Sequence, residues 1–396
     1  MMQISPETQL FIREHSSDDV RVLALQAKKY PDIDMPTAIT QIAGRKVAAE
    51  KIPSWWEMEK IWYPKHLSLE QCSSEITARY KARLLQGDSL TDLTGGFGID
   101  CSFLATGFKS ATYVERQEEL CEIAAHNFPV LNLNHINIRN EDGVTYLQAM
   151  SPVDCLFLDP ARRNEHGGKT VAISDCEPNV AELEELLLQK ANRVMIKLSP
   201  MLDLSLALKE LKQTQEVHIL SVNNECKELL ILLGQTSPAE ISIHCVNLFT
   251  KGTQKEQHFV FTREQEQCSE CTYTDSLETY LYEPNASLLK AGAFRSIAAA
   301  YPVRKLHPNS HLYTSDTFIE NFPGRIFRIV NQCSFNKKEV KENLADLKKA
   351  NVTVRNFPAT VAELRKRIHL AEGGDTYLFA STLNNGQKVL IRCEKV

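Results

Sequence analysis

The stretch Leu90-Thr91-Asp92-Leu93-Thr94-Gly95-Gly96-Phe97-Gly98-Ile99-Asp100 decides the fold. A short apolar run closes on a carboxylate, a glycine turn follows, and Ile99, Phe103 and Leu104 then open an amphipathic segment. This order predicts a first strand, a tight loop and a helix start in a doubly wound α/β domain. In such sheets ligands sit beyond the carboxyl ends of the strands, at the switch in strand order. Glycines in that loop let the backbone approach a ligand closely and take positive φ without steric cost. The dinucleotide fingerprint Gly-x-Gly-x-x-Gly fails, because the third position counted from Gly96 and Gly98 is Cys101. Asp-x-x-x-Gly-x-Gly, counted from Asp92, is satisfied.

Outward from this loop the chain repeats the theme. Residues 110–115 read as a second strand ending in Glu115, about 20 residues after the first loop, where a ribose-binding carboxylate belongs. Residues 135–143 read as a third strand with an acid, Asp142, at its tip. Val153-Asp154-Cys155-Leu156-Phe157-Leu158 is nearly continuous in apolar residues, as a parallel strand covered on both faces should be, and it runs into Asp159-Pro160. Residues 194–200 read as strand five. Residues 216–222 and 229–233 read as a closing antiparallel pair, and 241–250 with 258–263 as a further strand pair. Four acids on successive strand tips are a specific signal, although each alone is an ordinary loop carboxylate.

At 396 residues the chain is long enough for more than one domain. With 43% hydrophobic and 24% charged residues it has the composition of a folded protein, which excludes disorder. No apolar run is long enough to span a bilayer, and the N-terminus lacks a basic segment followed by an apolar one. The 11 cysteines are scattered, several within apolar strands, which favours reduced thiols and a cytoplasmic location. Cys268-Ser269-Glu270-Cys271 has no second pair, so no metal site is expected from it. Charge is uneven. Residues 321–396 hold 14 Lys and Arg against 7 Asp and Glu, in a chain whose formal net charge is −5. A basic tail on an acidic body is the asymmetry of an RNA-handling appendage, or simply of a solvated face.

The expected organisation is an N-terminal helical region (1–82), an α/β domain (83–265), a small ferredoxin-like or linking module (272–322) and a compact α+β tail (323–396). Trp55 and Trp62, seven residues apart, are expected on one helix face, in the core more than as a base-stacking platform. Residues 67–81 read as one helix with a small polar face of Ser73, Ser74 and Thr77. In the tail the pattern predicts a β-α-β-α-β-β order, closed by a hairpin with two-residue turn chemistry at Asn385-Gly386.

Asp92-Leu93-Thr94-Gly95-Gly96, Glu115-Arg116, Asp159-Pro160-Ala161-Arg162-Arg163 and the basic tail from about Pro323 resemble bacterial class I S-adenosylmethionine-dependent methyltransferases with a C-terminal THUMP-like domain. The resemblance implies a Rossmann-like methyltransferase sheet and S-adenosylmethionine as cofactor. It also implies a set of roles. Asp92, Thr94, Gly95, Gly96 and Gly98 would hold the amino-acid part of the cofactor. Glu115 and Arg116 would serve its ribose, and Asp142 and Gly143 its adenine. Asp159 and Pro160 would present the acceptor to the methyl group. Arg162, Arg163 and Lys197 are the candidate substrate-binding residues, the two arginines suited to holding phosphate in bidentate fashion. Amino-methylating relatives carry an aromatic residue shortly after the proline, where this chain has Ala161 and Arg162. RNA uracil-C5 methyltransferases need a nucleophilic cysteine just after strand five, where this chain reads Leu198-Ser199-Pro200. The expectation is therefore RNA methylation at a base nitrogen, with RNA the partner of the basic tail and no membrane or metal partner. The alternatives are a protein or small-molecule methyltransferase and a nucleic-acid-binding protein with a relict cofactor fold. Intact Asp92, Glu115 and Asp159 argue against decay.

Overall fold

The computed structural model describes residues 4–162, 172–236 and 238–396. The chain forms two compact units, Met1–Gln215 with Leu229–Pro238, and Glu216–Glu228 with Ala239–Val396.

In the first unit the expected strands form where the apolar runs lie. They are β1 (Ser89–Asp92), β2 (Ser110–Glu115), β3 (Ile136–Asn140) and β4 (Val153–Leu158). A two-residue ribbon, β5 (Ala161–Arg162) with β6 (Cys176–Glu177), precedes β7 (Ala191–Leu198). Most of β8 (Thr214–Val222) belongs to the second unit, whereas β9 (Glu225–Gly234) returns from Leu229 to pair antiparallel with β7. The order is β9-β7-β4-β1-β2-β3, with β1, β2, β3, β4 and β7 parallel. The chain leaves β3 at one edge and re-enters as β4 on the other side of β1. The switch point, and hence the expected crevice, lies beyond the β1 and β4 tips. Cys155, Leu156, Phe157 and Leu158 of β4 are all buried, which accounts for their unbroken apolar run.

N-terminal helices, including Pro6–Glu14 and Met35–Lys51, precede this sheet. Two expectations for this region need correction. Residues 67–81 do not form one helix: His66–Gln71 and Glu75–Ala82 are separated by a break. Ser74 is extended at the start of the second helix, and the Ser73 hydroxyl turns inward to the Asp100 carboxylate at 2.7 Å. Nor do Trp55 and Trp62 share a helix, because the helix Pro53–Trp56 ends before Trp62. Short turns follow, with the Met58 amide donating to the Trp55 carbonyl and Ile61 to that of Met58. Trp55 packs in the core with its ring centroid 5.1 Å from that of Phe97, while Trp62 stacks on His126 at 3.7 Å.

In the second unit β8 pairs in parallel with β10 (Ser242–Leu248), which pairs antiparallel with β11 (Glu256–Thr262). A seven-stranded sheet follows. Its strands are β12 (Tyr280–Pro284), β13 (Arg304–Lys305), β14 (Tyr313–Ser315), β15 (Gly324–Ser334), β16 (Lys349–Val354), β17 (Ala371–Thr382) and β18 (Lys388–Lys395), in the order β13-β14-β12-β15-β18-β17-β16. One sheet thus runs through residues 280–323 and the tail, joined at β12 and β15. The tail follows the expected β-α-β-α-β-β order, with helices Lys337–Leu344 and Val361–Ile368 burying Leu344 and Leu364. The β17–β18 turn differs from expectation. The Gly386 amide donates to the Leu383 carbonyl and Leu383 to Gln387, and of the turn residues only Gly386 has positive φ (+86°). That is a three-residue loop with glycine in the left-handed position, not the two-residue form, which needs positive φ at both central residues. Among the described residues no helix is long and apolar enough to cross a membrane.

Candidate active site

A cleft of about 550 Å³ opens at the carboxyl ends of β1, β2 and β4 and is lined by Asp92, the 93–98 turn, Glu115, Asp142, Asp159 and Lys197, among others. The turn is built by local hydrogen bonding. Asp92 Oδ1 accepts from the Thr94 amide at 2.9 Å, and the Gly98 amide donates to the Gly95 carbonyl. Gly98 then starts the helix Ile99–Ala105 at φ +87°, a conformation that side chains with a Cβ resist.

Glu115 at the β2 tip is 8% exposed. Its Oε2 accepts from the Gly96 amide at 2.9 Å and its Oε1 from the Gln117 amide at 2.8 Å. A carboxylate has about four acceptor positions, so both oxygens keep capacity for a ligand hydroxyl. Arg116 lies at the mouth and pairs with Glu177 at 3.2 Å, both side chains largely exposed. Asp142 caps the helix Gly143–Ala149, its Oδ1 accepting from the Val144 and Thr145 amides at 3.0 Å. Gly143 sits where a Cβ would stand 2.2 Å from the Leu93 carbonyl oxygen, a backbone contact that only glycine allows.

The β4 tip is tied to the glycine turn, because the Asp159 amide donates to Thr94 Oγ1 at 2.6 Å. Pro160, next in the chain, is buried and does not line the cleft. Arg163 lies outside the described residues, as does the side chain of Arg162.

Lys197, expected from the sequence among the substrate-binding residues, lines the cleft. Its side chain is 9% exposed, and Nζ stands 2.5 Å from Asp159 Oδ2 and 3.2 Å from Asp100 Oδ2. Lys81, fully buried, reaches the other oxygen of Asp100 at 2.8 Å, and both lysines donate to Ser73 Oγ. Two ammonium groups and two carboxylates therefore alternate beneath the cleft. Asp100 and Lys81 were missed as site residues. The signal for Asp100 was an acid in the first turn of the helix after the glycine loop. Lys81 carried none, since a lysine in an N-terminal helix reads as solvated.

The electrostatics follow from burial and these pairs. Desolvation opposes the charge on Asp100, but the ammonium groups of Lys197 and Lys81 outweigh it and hold the carboxyl below the usual range. Asp92 has the Thr94 amide, a long contact from the Thr94 hydroxyl at 3.4 Å and a more distant lysine in its favour. Burial, with Asp100 and Asp159 near, pushes it up to about 8. The cleft walls likewise desolvate Asp159 and raise its carboxyl, with Lys197 pulling the other way. The cleft's thiol, Cys72, is pushed up to about 11 by burial and donates to the Leu69 carbonyl at 3.0 Å, so it is not a nucleophile at neutral pH.

Comparison with known proteins places these features in context. A model of a ferredoxin-like domain matches residues 280–323, and a THUMP domain-like model matches residues 324–395. A crystal structure from Porphyromonas gingivalis W83, of a protein provisionally described as a methyltransferase, is 34% identical over 100% of both chains with a TM-score of 0.87. A modification subunit of a type I restriction enzyme from Vibrio vulnificus YJ016 is 12% identical over 51% of this chain and 56% of its own, at a TM-score of 0.35. A methyltransferase-like protein from Streptococcus mutans, solved in complex with SAH, is 13% identical over 40% of this chain and 96% of its own, at a TM-score of 0.30. No curated protein matches the chain.

Proposed function

The chain belongs to the class I methyltransferases that carry a C-terminal THUMP-like domain, and we propose that it methylates RNA at a base nitrogen with S-adenosylmethionine as donor. The observation that carries this reading is the convergence of Asp92, Glu115, Asp142 and Asp159 on one cleft at the switch point of the sheet.

The residues present fit the donor. Glu115 is a buried carboxylate already oriented by two amides, as a ribose diol requires. Gly143 lets the helix that Asp142 caps approach the Leu93 carbonyl closely, which sets Asp142 on the adenine side. Asp92 and the turn Thr94–Gly98 form an acidic, amide-rich end for the cationic amino-acid part. When bound, the donor supplies an electrophilic methyl on sulfur, displaced in line by the acceptor.

The protein's task is then position and charge. Asp159 accepts a hydrogen bond from the acceptor amine and so aims the nitrogen lone pair. Lys197 holds the Asp159 carboxylate in place through its 2.5 Å contact, and Asp100 with Lys81 holds Lys197. Lys197 is thus a positioning residue more than a direct substrate contact. Arg162 and Arg163, which follow Pro160 in the chain, are proposed to take RNA phosphate. The protonated state of Cys72, together with Leu198-Ser199-Pro200 after β7, supports nitrogen over uracil C5. The excess of Lys and Arg in residues 321–396 supports RNA as the partner.

The test is mass spectrometry of nucleosides from total RNA of cells with and without the gene, paired with calorimetry of the full chain and the donor. Loss of one N-methylated nucleoside, restored by the wild-type gene but not by Asp159→Ala, is expected. Unchanged nucleosides together with tight donor binding would move the substrate from RNA to a protein or small molecule.

A further inference from the structure

A second cluster of chemistry-bearing side chains lies in the second unit, on the strands β8, β10 and β11. Glu216 and His218 are two residues apart on β8 and so share a face of the sheet. His244 on β10 is the direct parallel partner of His218. His258 on β11 stands opposite Val246, two residues from His244, and faces the same side. Register therefore brings one carboxylate and three imidazoles together from positions spread over more than forty residues of chain. We propose that Glu216, His218 and His244 form a binding site for a divalent transition metal of the zinc class, with His258 as the outer partner that orients His244.

The distances suit this. One ligand atom from each of Glu216, His218 and His244 lies within 4.8 Å of the others, and His218 Nε2 is 3.2 Å from Glu216 Oε2. Donors bound to tetrahedral zinc at about 2.0–2.1 Å stand about 3.3–3.4 Å apart, so the shorter separation already matches and the longer one closes by small side-chain rotations. The imidazoles of His218 and His244 stack at 4.3 Å, and His258 Nε2 approaches His244 Nδ1 at 3.2 Å, where it can fix the orientation of a metal-bound imidazole. His218 is only 3% exposed and His244 half-buried, so the donors are held in place. Two imidazoles and one carboxylate select zinc, cobalt or nickel over magnesium or calcium, which prefer oxygen donors. Three protein ligands leave the fourth position to water.

The test uses the full chain stripped with chelator, then titrated with Zn2+ by calorimetry and with Co2+ by visible absorption. Expected are one equivalent bound with nitrogen- and oxygen-type cobalt bands and a metal-dependent rise in Tm. His244→Ala and His218→Ala should each weaken affinity at least about a hundredfold, more than an outer-shell loss does. Glu216→Gln, which keeps the side-chain shape, serves as the variant least prone to misfolding. It should show the same direction with an unchanged far-ultraviolet spectrum. His258→Ala should cost about tenfold. No saturable binding would overturn the proposal. So would binding that survives His218→Ala and His244→Ala but vanishes in Cys268→Ser with Cys271→Ser, or thiolate bands in the cobalt spectrum.

Discussion

Replacing Asp100 by asparagine tests the network beneath the cleft most directly. The carboxylate meets Lys81 at 2.8 Å and Lys197 at 3.2 Å, and Lys81 is wholly buried. Each contact is worth about 5–6 kcal/mol at an effective dielectric of about 20. Returning the carboxylate to water recovers several kcal/mol of that, so the expected net loss is about 3–5 kcal/mol, the usual cost of stranding a buried charge. Asparagine fills the same space, so the loss is electrostatic and not one of packing. Adding Lys81→Met removes the stranded charge and leaves Lys197 paired with Asp159. The double variant should therefore recover most of the loss. The assay is urea unfolding followed by tryptophan fluorescence, which isolates the first unit because all three tryptophans, Trp55, Trp56 and Trp62, lie there. A loss under about 1 kcal/mol for Asp100→Asn, or a double variant no more stable than the single one, would refute the reasoning.

Glu115→Ala should weaken S-adenosylmethionine binding by about a hundredfold, since it removes charge-assisted bonds worth about 1.5–3 kcal/mol each, as read by equilibrium dialysis. Asp159→Ala should lower kcat by about a hundredfold or more while the donor's affinity stays within a few-fold; equal losses in both would place Asp159 in donor binding instead. Asp92 is neutral below about pH 8, and a cationic donor prefers its carboxylate. Affinity should therefore fall by up to about tenfold per pH unit below pH 8, and binding at pH 7 should release a proton, measured by calorimetry in buffers of different ionisation enthalpy; Asp92→Asn should flatten that profile. Gly143→Ala forces its new methyl against the Leu93 carbonyl and should cost about 1–3 kcal/mol of stability along with donor affinity, and an unchanged Tm would contradict the close approach.

The sheet was legible because β4, covered on both faces, shows as a nearly unbroken apolar run, and each of the first four strands leads into an acid at the ligand-binding edge. Asp92, Glu115, Asp142 and Asp159, read as acids on strand tips, all line one cleft. Lys81 and Asp100 were not foreseen, because their partnership depends on how a helix from before the sheet docks on the helix Ile99–Ala105, and no periodicity records docking. The break at Cys72–Ser74 escaped for the same reason: the Ser73 hydroxyl leaves helical geometry to reach a partner 27 residues away. In the β17–β18 turn Asn385-Gly386 matched a familiar pair, but the strand register placed one more residue in the loop. His218 and His244 become neighbours only through the parallel pairing of β8 with β10, which the sequence reading did not foresee.

Thr94 spends its hydroxyl on the amide of Asp159 while its own amide rests on Asp92. The glycine turn and the β4 end, proposed to hold one reactant and to aim the other, are thus welded into a single mechanical part. Ordering either loop stiffens its counterpart, so donor and acceptor should sense each other's arrival without any movement of domains.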